Sequence, residues 1–355
     1  MLLSWWRRLL ATLVVVLATI ASGTLECNRG EATVAEGRGR QVYGNMCAVC
    51  HGAGGEGYKA DHAPALAQQD FLASVTDDAL RVAITYGRAG TVMSAWGRER
   101  GGPLSVADVK AVVAFIRAWQ TLPDAHLDES VLEGDAEQGE KVYARDCTGC
   151  HGAKGAGAAS EGLGSPMLTG STNGFLRYAI RDGRPGTAMP GFRAALGTRS
   201  IDDVIAFLRS IPAPAVTRAT PAKMPPIPLG PVPLNPHGPD PDGFKAQPAT
   251  TGADLVKAQL DHGAKMAILD ARAPTDYANE HIAGAVSVPF YDPAPYFDKL
   301  PKDSWLVCYC ACPHAESGQL AQKLVAHGFS KVTVLNEGLG YWKSKKYGTR
   351  EGTEP

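Results

Sequence analysis

The sequence predicts a multidomain chain: two all-α domains followed by a small α/β domain with a parallel sheet. Three observations carry this. A length of 355 residues exceeds what one ordinary core organises. Three sequence blocks in the first part of the chain return later in the same order, which means a duplicated unit. The final stretch alternates short apolar strands with helical segments, the pattern of a parallel sheet covered by helices. Composition is globular, 45% hydrophobic and 20% charged. The net charge of −1 gives no basic field, which argues against nucleic acid as a partner.

Residues 1–26 read as a signal peptide or an N-terminal membrane anchor. Arg7 and Arg8 precede an apolar run from Leu9 to Ala21, and the small residues Ser22 and Gly23 follow. That is the charged, apolar and small-residue order of an export signal. The run is shorter than the roughly 20 residues that span a bilayer comfortably. Trp5 and Trp6 suit a membrane interface, so cleaved and anchored forms both stay open. Cys27 invites a lipidated N-terminus, but Glu26 stands where a lipobox carries a small residue. In either form the rest of the chain is expected in the periplasm or another extracytoplasmic space.

The duplication is explicit. GRQVYGNMCAVCHG from Gly39 returns as GEKVYARDCTGCHG from Gly139, and RVAITYGRAGTVM from Arg81 returns as RYAIRDGRPGTAM from Arg177. VVAFIR from Val112 returns as VIAFLR from Val204. Each unit opens with a helix leading into the cysteine motif. Each closes with an amphipathic helix beginning near Ser105 or Ser200, both expected as N-caps. The units are assigned to residues 32–124 and 132–212.

Residues 213–247 hold ten of the chain's 25 prolines. Such a segment lacks backbone donors and favours extended conformations, so it is expected to act as a semi-rigid linker.

Cys47-Ala-Val-Cys50-His51 and Cys147-Thr-Gly-Cys150-His151 both read CxxCH. Two thiols three residues apart on one helical turn can form thioethers to one haem, and the following imidazole then reaches the iron. Recurrence inside a duplicated unit favours two covalently bound haem c groups over a dithiol motif with a chance histidine. Met93 and Met189 hold matched places in the repeat, in GTVMSAW and GTAMPGF, and are the candidate sixth ligands. The expected cofactor-binding set is therefore Cys47, Cys50, His51 and Met93, with Cys147, Cys150, His151 and Met189. His51, Met93, His151 and Met189 would be the iron ligands. Residues 35 to 212 thus resemble two tandem class I cytochrome c domains. That resemblance implies a proline carbonyl accepting from the ligating imidazole, at Pro64 and Pro166. Tyr43, Tyr143, Trp96 and Phe192 would wall the haem pockets, and ordinary core packing explains them equally well.

Residues 248–350 resemble a rhodanese-like domain. ILDARAPTDYANEHIAGAVSVP carries Asp270, Arg272, Tyr277, His281, Ile282, Gly284 and Ala285 at the signature places. The ending LNEGLGYWKSKKYG supplies Gly338, Gly340 and Trp342. The resemblance gives these residues structural roles, His281 included. It puts Cys310 of CYCACPHAESG at the nucleophile position, where a strand ends and a loop runs into a helix. Backbone N–H groups of such a loop cradle an anion, lower the thiol pKa and hold a persulfide. The loop departs from the family: it counts one residue longer than the usual six, and Ala315 or Glu316 stands where Arg is common. Cys312 and His314 are candidate accessory residues. A metal site built from Cys308, Cys310, Cys312 and His314 is the competing reading.

Three functions stay open from sequence. One is an exported dihaem electron carrier whose last domain handles a sulfur species at Cys310. Another is an electron carrier whose last domain is a catalytically inactive docking or redox-switch module. The third is a thiosulfate sulfurtransferase. Redox proteins as donor and acceptor, a small sulfur compound, and a membrane tether at the N-terminus are the expected partners.

Overall fold

The computed structural model describes residues 36–57, 63–88, 92–156, 163, 171–184, 188–211, 227, 229–230, 232, 234–311 and 314–355. The expected leader with Cys27, the second expected carbonyl at Pro166, accessory Cys312 and much of the linker lie outside the described residues.

The first unit opens with helix α1 over 36–42, which continues through a π-helical turn, Tyr43–Cys47, into α2, Ala48–His51. Then come α3 (Gln69–Ser74), α4 (Asp77–Tyr86) and α5 (Val106–Arg117). The second unit repeats the plan with α6 (Ala136–Asp146), α7 (Thr148–His151), α8 (Asn173–Asp182) and α9 (Thr198–Ser210). Caps set the helix starts. Thr76 and Thr172 each accept a hydrogen bond from the N–H three residues on. Ser105 and Asp108 form a reciprocal capping box at α5. The expectation at Ser200 fails: α9 begins at Thr198 after Gly197, so Ser200 sits inside the first turn and caps nothing.

The first and last helices of each unit cross at a glycine. A Cβ on Gly39 would fall 2.1 Å from the Ala111 carbonyl oxygen, and one on Gly139 would fall 1.9 Å from that of Asp203. That contact lets α5 and α9 bury Val112, Phe115 and Ile116, and Val204, Ile205 and Leu208, at helical spacing. Each such side chain is worth about 1.5–3 kcal/mol of transfer free energy. Arg177 is buried and binds Asp202 at 2.7 Å, and it also donates to the carbonyls of Asp128 (2.7 Å) and Ser130 (2.9 Å). The connection between the units is thereby fastened onto the second one.

The last domain has a five-stranded parallel sheet. Its strands are β1 (Thr250–Thr251), β2 (Met266–Asp270), β4 (Val286–Ser287), β5 (Trp305–Tyr309) and β6 (Val332–Leu335), in the order β1-β6-β5-β2-β4. Short strands β3 (His281–Ile282) and β7 (Thr349–Arg350) pair antiparallel beside it. Helices α10 (Ala253–Asp261), α11 (Pro274–Asn279), α12 (Ala315–Ala326) and α13 (Gly338–Ser344) complete the domain. Continuous apolar runs such as MAILD and WLVCY suit strands covered on both faces. Leu306 and Cys308 enter one buried cluster, while Val307 and Tyr309 enter another.

The segment expected as a spacer through 247 is docked from 234 onward. Leu234 and Met266 exchange backbone hydrogen bonds of 2.6 and 3.2 Å, Lys265 N–H donates to Pro239, and Gln247 N–H donates to Val332. Prolines lack donors but keep their carbonyls, and Pro239 spends one on the domain that follows.

Candidate functional site

In the first unit Cys47 precedes the short helix that carries Cys50 and His51. His51 Nδ1 lies 3.0 Å from the Pro64 carbonyl oxygen, as expected from sequence. That contact leaves Nε2 as the atom to meet a metal, and it fixes the ring. Burial pulls the His51 pKa down, opposed by the Pro64 bond, which favours the neutral imidazole a ligand must be. Burial also pushes the Cys47 thiol up to about 12. Gly52 follows with φ 81°, a left-handed conformation that turns the chain sharply away after the histidine. Met93 is half-buried and packs against the same buried cluster as Cys47. The Arg88 N–H donates to the Met93 carbonyl, closing the loop that presents it.

The second unit reproduces the helix, the glycine turn and the methionine loop, while the counterpart of the Pro64 carbonyl lies outside the described residues. Cys147 precedes Thr148–His151, Gly152 has φ 72°, and the Arg184 N–H donates to the Met189 carbonyl. Burial pushes the Cys147 thiol up to about 11. His151 and Met189 are half-buried, and Cys150 is exposed. These donor sets fit a covalently held haem: the paired cysteines would form its two thioethers, and the histidine and loop methionine of each unit would be the iron ligands.

Tyr43 and Tyr143 take a role that sequence reading left undecided. Each is buried and donates its hydroxyl to the carbonyl of the glycine after the motif, Gly52 at 2.8 Å and Gly152 at 3.0 Å. Their rings pack on Phe115 and Phe207 of the closing helices. They tie the motif's exit to the helix crossing, a structural role that ordinary core packing accounts for.

In the α/β domain Cys310 directly follows β5 and is fully buried. The Leu339 N–H donates to its carbonyl at 2.9 Å, and its Sγ lies 3.3 Å from the Ser317 hydroxyl in the first turn of α12. Ser317 was missed from sequence; lying seven residues beyond Cys310, it is brought back by the loop. Helix α12 starts at Ala315, and Glu316 is buried in its first turn. A carboxylate there opposes an anionic sulfur donor. His314 is exposed and bonded to Asn336 at 3.1 Å. Among the described residues no cluster of three or more His, Cys, Asp or Glu is arranged to hold a metal ion. Burial pushes the Cys308 thiol well above its ordinary range, which leaves it inert.

The signature residues form a buried scaffold beneath that loop. Arg272 binds Asp270 at 2.6 Å and donates to the Glu280 carbonyl at 2.6 Å. Tyr309 donates to Asp270 at 2.5 Å and accepts from the Ile282 N–H at 3.1 Å. His281 stacks on Tyr277 at 3.8 Å, and its two nitrogens meet the carbonyls of Tyr277 and Glu354. His281 is a satisfied structural residue, as its resemblance implied.

Known proteins resemble separate stretches of the chain. A model described as "Cytochrome C oxidase, cbb3-type, subunit III" matches residues 35–116 and 134–208, and a rhodanese-like domain model matches 252–345. The chain is 31% identical over 192 residues to the cbb3-type cytochrome c oxidase subunit FixP of Bradyrhizobium diazoefficiens. That match covers 50% of this chain and 61% of the relative, so the chain spans less than two thirds of the length of that subunit. A thiosulfate dehydrogenase electron acceptor of Stutzerimonas stutzeri is 34% identical over 95 residues, 23% of this chain and 43% of the relative. The solved rhodanese-like domain of an Anabaena protein is 30% identical, covering 29% of this chain and 78% of its own, with a TM-score of 0.27. Among the described residues no helix is long and apolar enough to cross a membrane. The chain joins two tandem class I c-type cytochrome domains to a C-terminal rhodanese-like domain.

Proposed function

We propose that this is an exported dihaem c-type cytochrome that transfers electrons and whose rhodanese-like domain handles a sulfur species as a persulfide on Cys310. The observation that carries it is the duplicated local geometry: a CxxCH turn closed by a left-handed glycine, and a later loop in which an arginine N–H closes on the carbonyl of a methionine, present in both units. Cys47, Cys50, His51 and Met93 would hold one haem, and Cys147, Cys150, His151 and Met189 the other. Bound haem supplies one-electron exchange between ferric and ferrous iron. The relatives named as oxidase subunits and as an electron acceptor support redox proteins as partners.

Cys310 stands where a parallel strand ends and α12 begins, so its sulfur faces the positive end of a twelve-residue helix. Ser317 Oγ is placed to donate to a thiolate or to the inner sulfur of a persulfide. Written as a balanced step, the Cys310 thiol and one hydrogen sulfide molecule give the Cys310 persulfide, two protons and two electrons. Two electrons match two one-electron centres. Glu316 in the first turn weighs against thiosulfate as the donor, because its charge repels the dianion. Thiosulfate sulfurtransfer is therefore the weaker alternative.

The test is an anaerobic optical titration of the oxidised holoprotein with sulfide, thiosulfate and a persulfide donor. Cys310→Ser and Cys312→Ser are run beside the wild type. Ferrous bands that grow in the wild type and not in Cys310→Ser support the sulfur role. Identical behaviour of all three proteins refutes it and favours a docking module, a reading that the complete burial of Cys310 supports.

A further inference from the structure

The α/β domain meets the two cytochrome units unequally. In the first unit Met93 is followed by Ser94, Ala95 and Trp96, and both Ser94 and Trp96 are buried. The Trp96 ring meets Phe290 edge-on at 6.3 Å and Tyr291 at 5.6 Å, and those two meet each other at 5.5 Å. Ser94 neighbours the Asp276 carboxylate, and Oδ2 of Asp276 is sealed from solvent without a hydrogen-bond partner among the described residues. Helix α12 leans on α2, which carries Cys50 and His51. Met93 and Tyr291 pack against a single buried cluster drawn from both domains. At the equivalent places of the second unit, Pro190 is exposed, and Phe192 is half-buried against its own unit's cluster.

We propose that Phe290, Tyr291 and Asp276 of the rhodanese-like domain are positioning residues for the Met93 loop. The potential of the first haem is then set in part by a domain other than its own. This rests on the reading of Met93 as that haem's axial ligand. The bond from iron to a thioether is weak and depends on the loop that delivers the sulfur. Trp96 sits three residues after Met93, so the aromatic clasp on its ring restrains the loop beyond the sulfur. Buried Ser94, beside Asp276, would restrain it one residue after the sulfur. A loosened loop gives up thioether ligation, and loss of the thioether lowers the potential of its haem. The second haem, whose loop the domain does not cover among the described residues, would be unaffected. Any event that shifts α12 and the Phe290 turn, such as sulfur loading at Cys310, would reach the first haem by the same contact.

The experiment uses full-length holoprotein carrying Tyr291→Ala, Asp276→Ala, Ser94→Ala, Met93→Ala and, as the second-unit counterpart, Phe192→Ala. It reads the long-wavelength thioether-to-ferric-iron absorption band and a redox titration resolved into two haems. Met93→Ala is expected to remove half of the band. Tyr291→Ala and Asp276→Ala are expected to weaken that same half and lower one potential, and Tyr291→Phe should restore both. Ser94→Ala should add nothing on top of Asp276→Ala. Phe192→Ala should act on the other haem alone. The clamp is overturned if Met93→Ala halves the band while Tyr291→Ala and Asp276→Ala leave the band and both potentials at wild-type values. If Met93→Ala leaves the band whole, the ligand assignment itself fails, and the clamp with it.

Discussion

Replacing Gly39 or Gly139 with alanine should unfold its cytochrome unit more easily, and the structure supplies a scale. Ordinary van der Waals contact for a Cβ begins near 3.4 Å, whereas these methyls would sit 2.1 and 1.9 Å from backbone carbonyl oxygens on the crossing helix. A backbone carbonyl inside a helix cannot rotate aside, so the crossing itself must open. Overpacking of this kind costs about 1–3 kcal/mol, and the backbone clash puts both sites at the upper end. Alanine returns about 1 kcal/mol of helix propensity, leaving a net loss of about 2 kcal/mol. Gly44 and Gly149 provide controls, since a Cβ there meets nothing within 4 Å. Their alanine variants should be neutral or up to about 1 kcal/mol more stable. The assay is denaturant unfolding of the holoprotein followed by haem absorbance. A Gly39→Ala midpoint equal to or above that of Gly44→Ala would refute the crossing argument.

Other outcomes follow from the same geometry. Burial pushes the Asp108 carboxyl up, but bonds from Ser105 and Arg38 outweigh it and hold the pKa at about 2, below the ordinary 3.8. A folded value below the unfolded one gives stability that is present above about pH 4 and lost as the pH falls toward 2. Asp108→Asn should therefore cost about 1 kcal/mol at pH 7, a figure reduced because Arg38 is half-exposed, and the difference should shrink away as the pH falls through 2. Asp270→Asn strands the buried Arg272 guanidinium, and thermal unfolding by circular dichroism should register about 3–5 kcal/mol. Tyr43→Phe and Tyr143→Phe each delete a hydroxyl-to-carbonyl bond and should each lower a unit's denaturation midpoint by about 1 kcal/mol.

The repeat made the two helical units legible because it is written in residues whose chemistry is specific: paired cysteines, a histidine, a glycine turn, a methionine. The same holds for the parallel sheet, whose strands are continuous apolar runs. Pro64 was readable through the resemblance, since a backbone carbonyl leaves no side-chain signal of its own. Ser200 misled because a serine near a helix start looks like a cap, while Gly197 supplies the extended residue that α9 needs. The docking of residues 234–247 was illegible because proline content reports missing donors and says nothing about which carbonyls are used. The clasp on Trp96 was illegible for a different reason. Trp96 and Phe290 are far apart in sequence, and no local pattern distinguishes an aromatic that faces its own haem from one that faces a neighbouring domain.

The main chain at Cys310 is held from both sides. Ala271 donates to the carbonyl of Tyr309, and Leu339 donates to that of Cys310 itself. The sulfur therefore departs from a point set by the sheet and by α13, whatever occupies the turn beyond it. That turn can be exchanged like a drill bit in a fixed chuck: on the proposed function, a loop with a different length or charge would meet a different sulfur compound while Cys310 stays in place. A chain of this design can change what it takes in without rebuilding the route by which it passes electrons on.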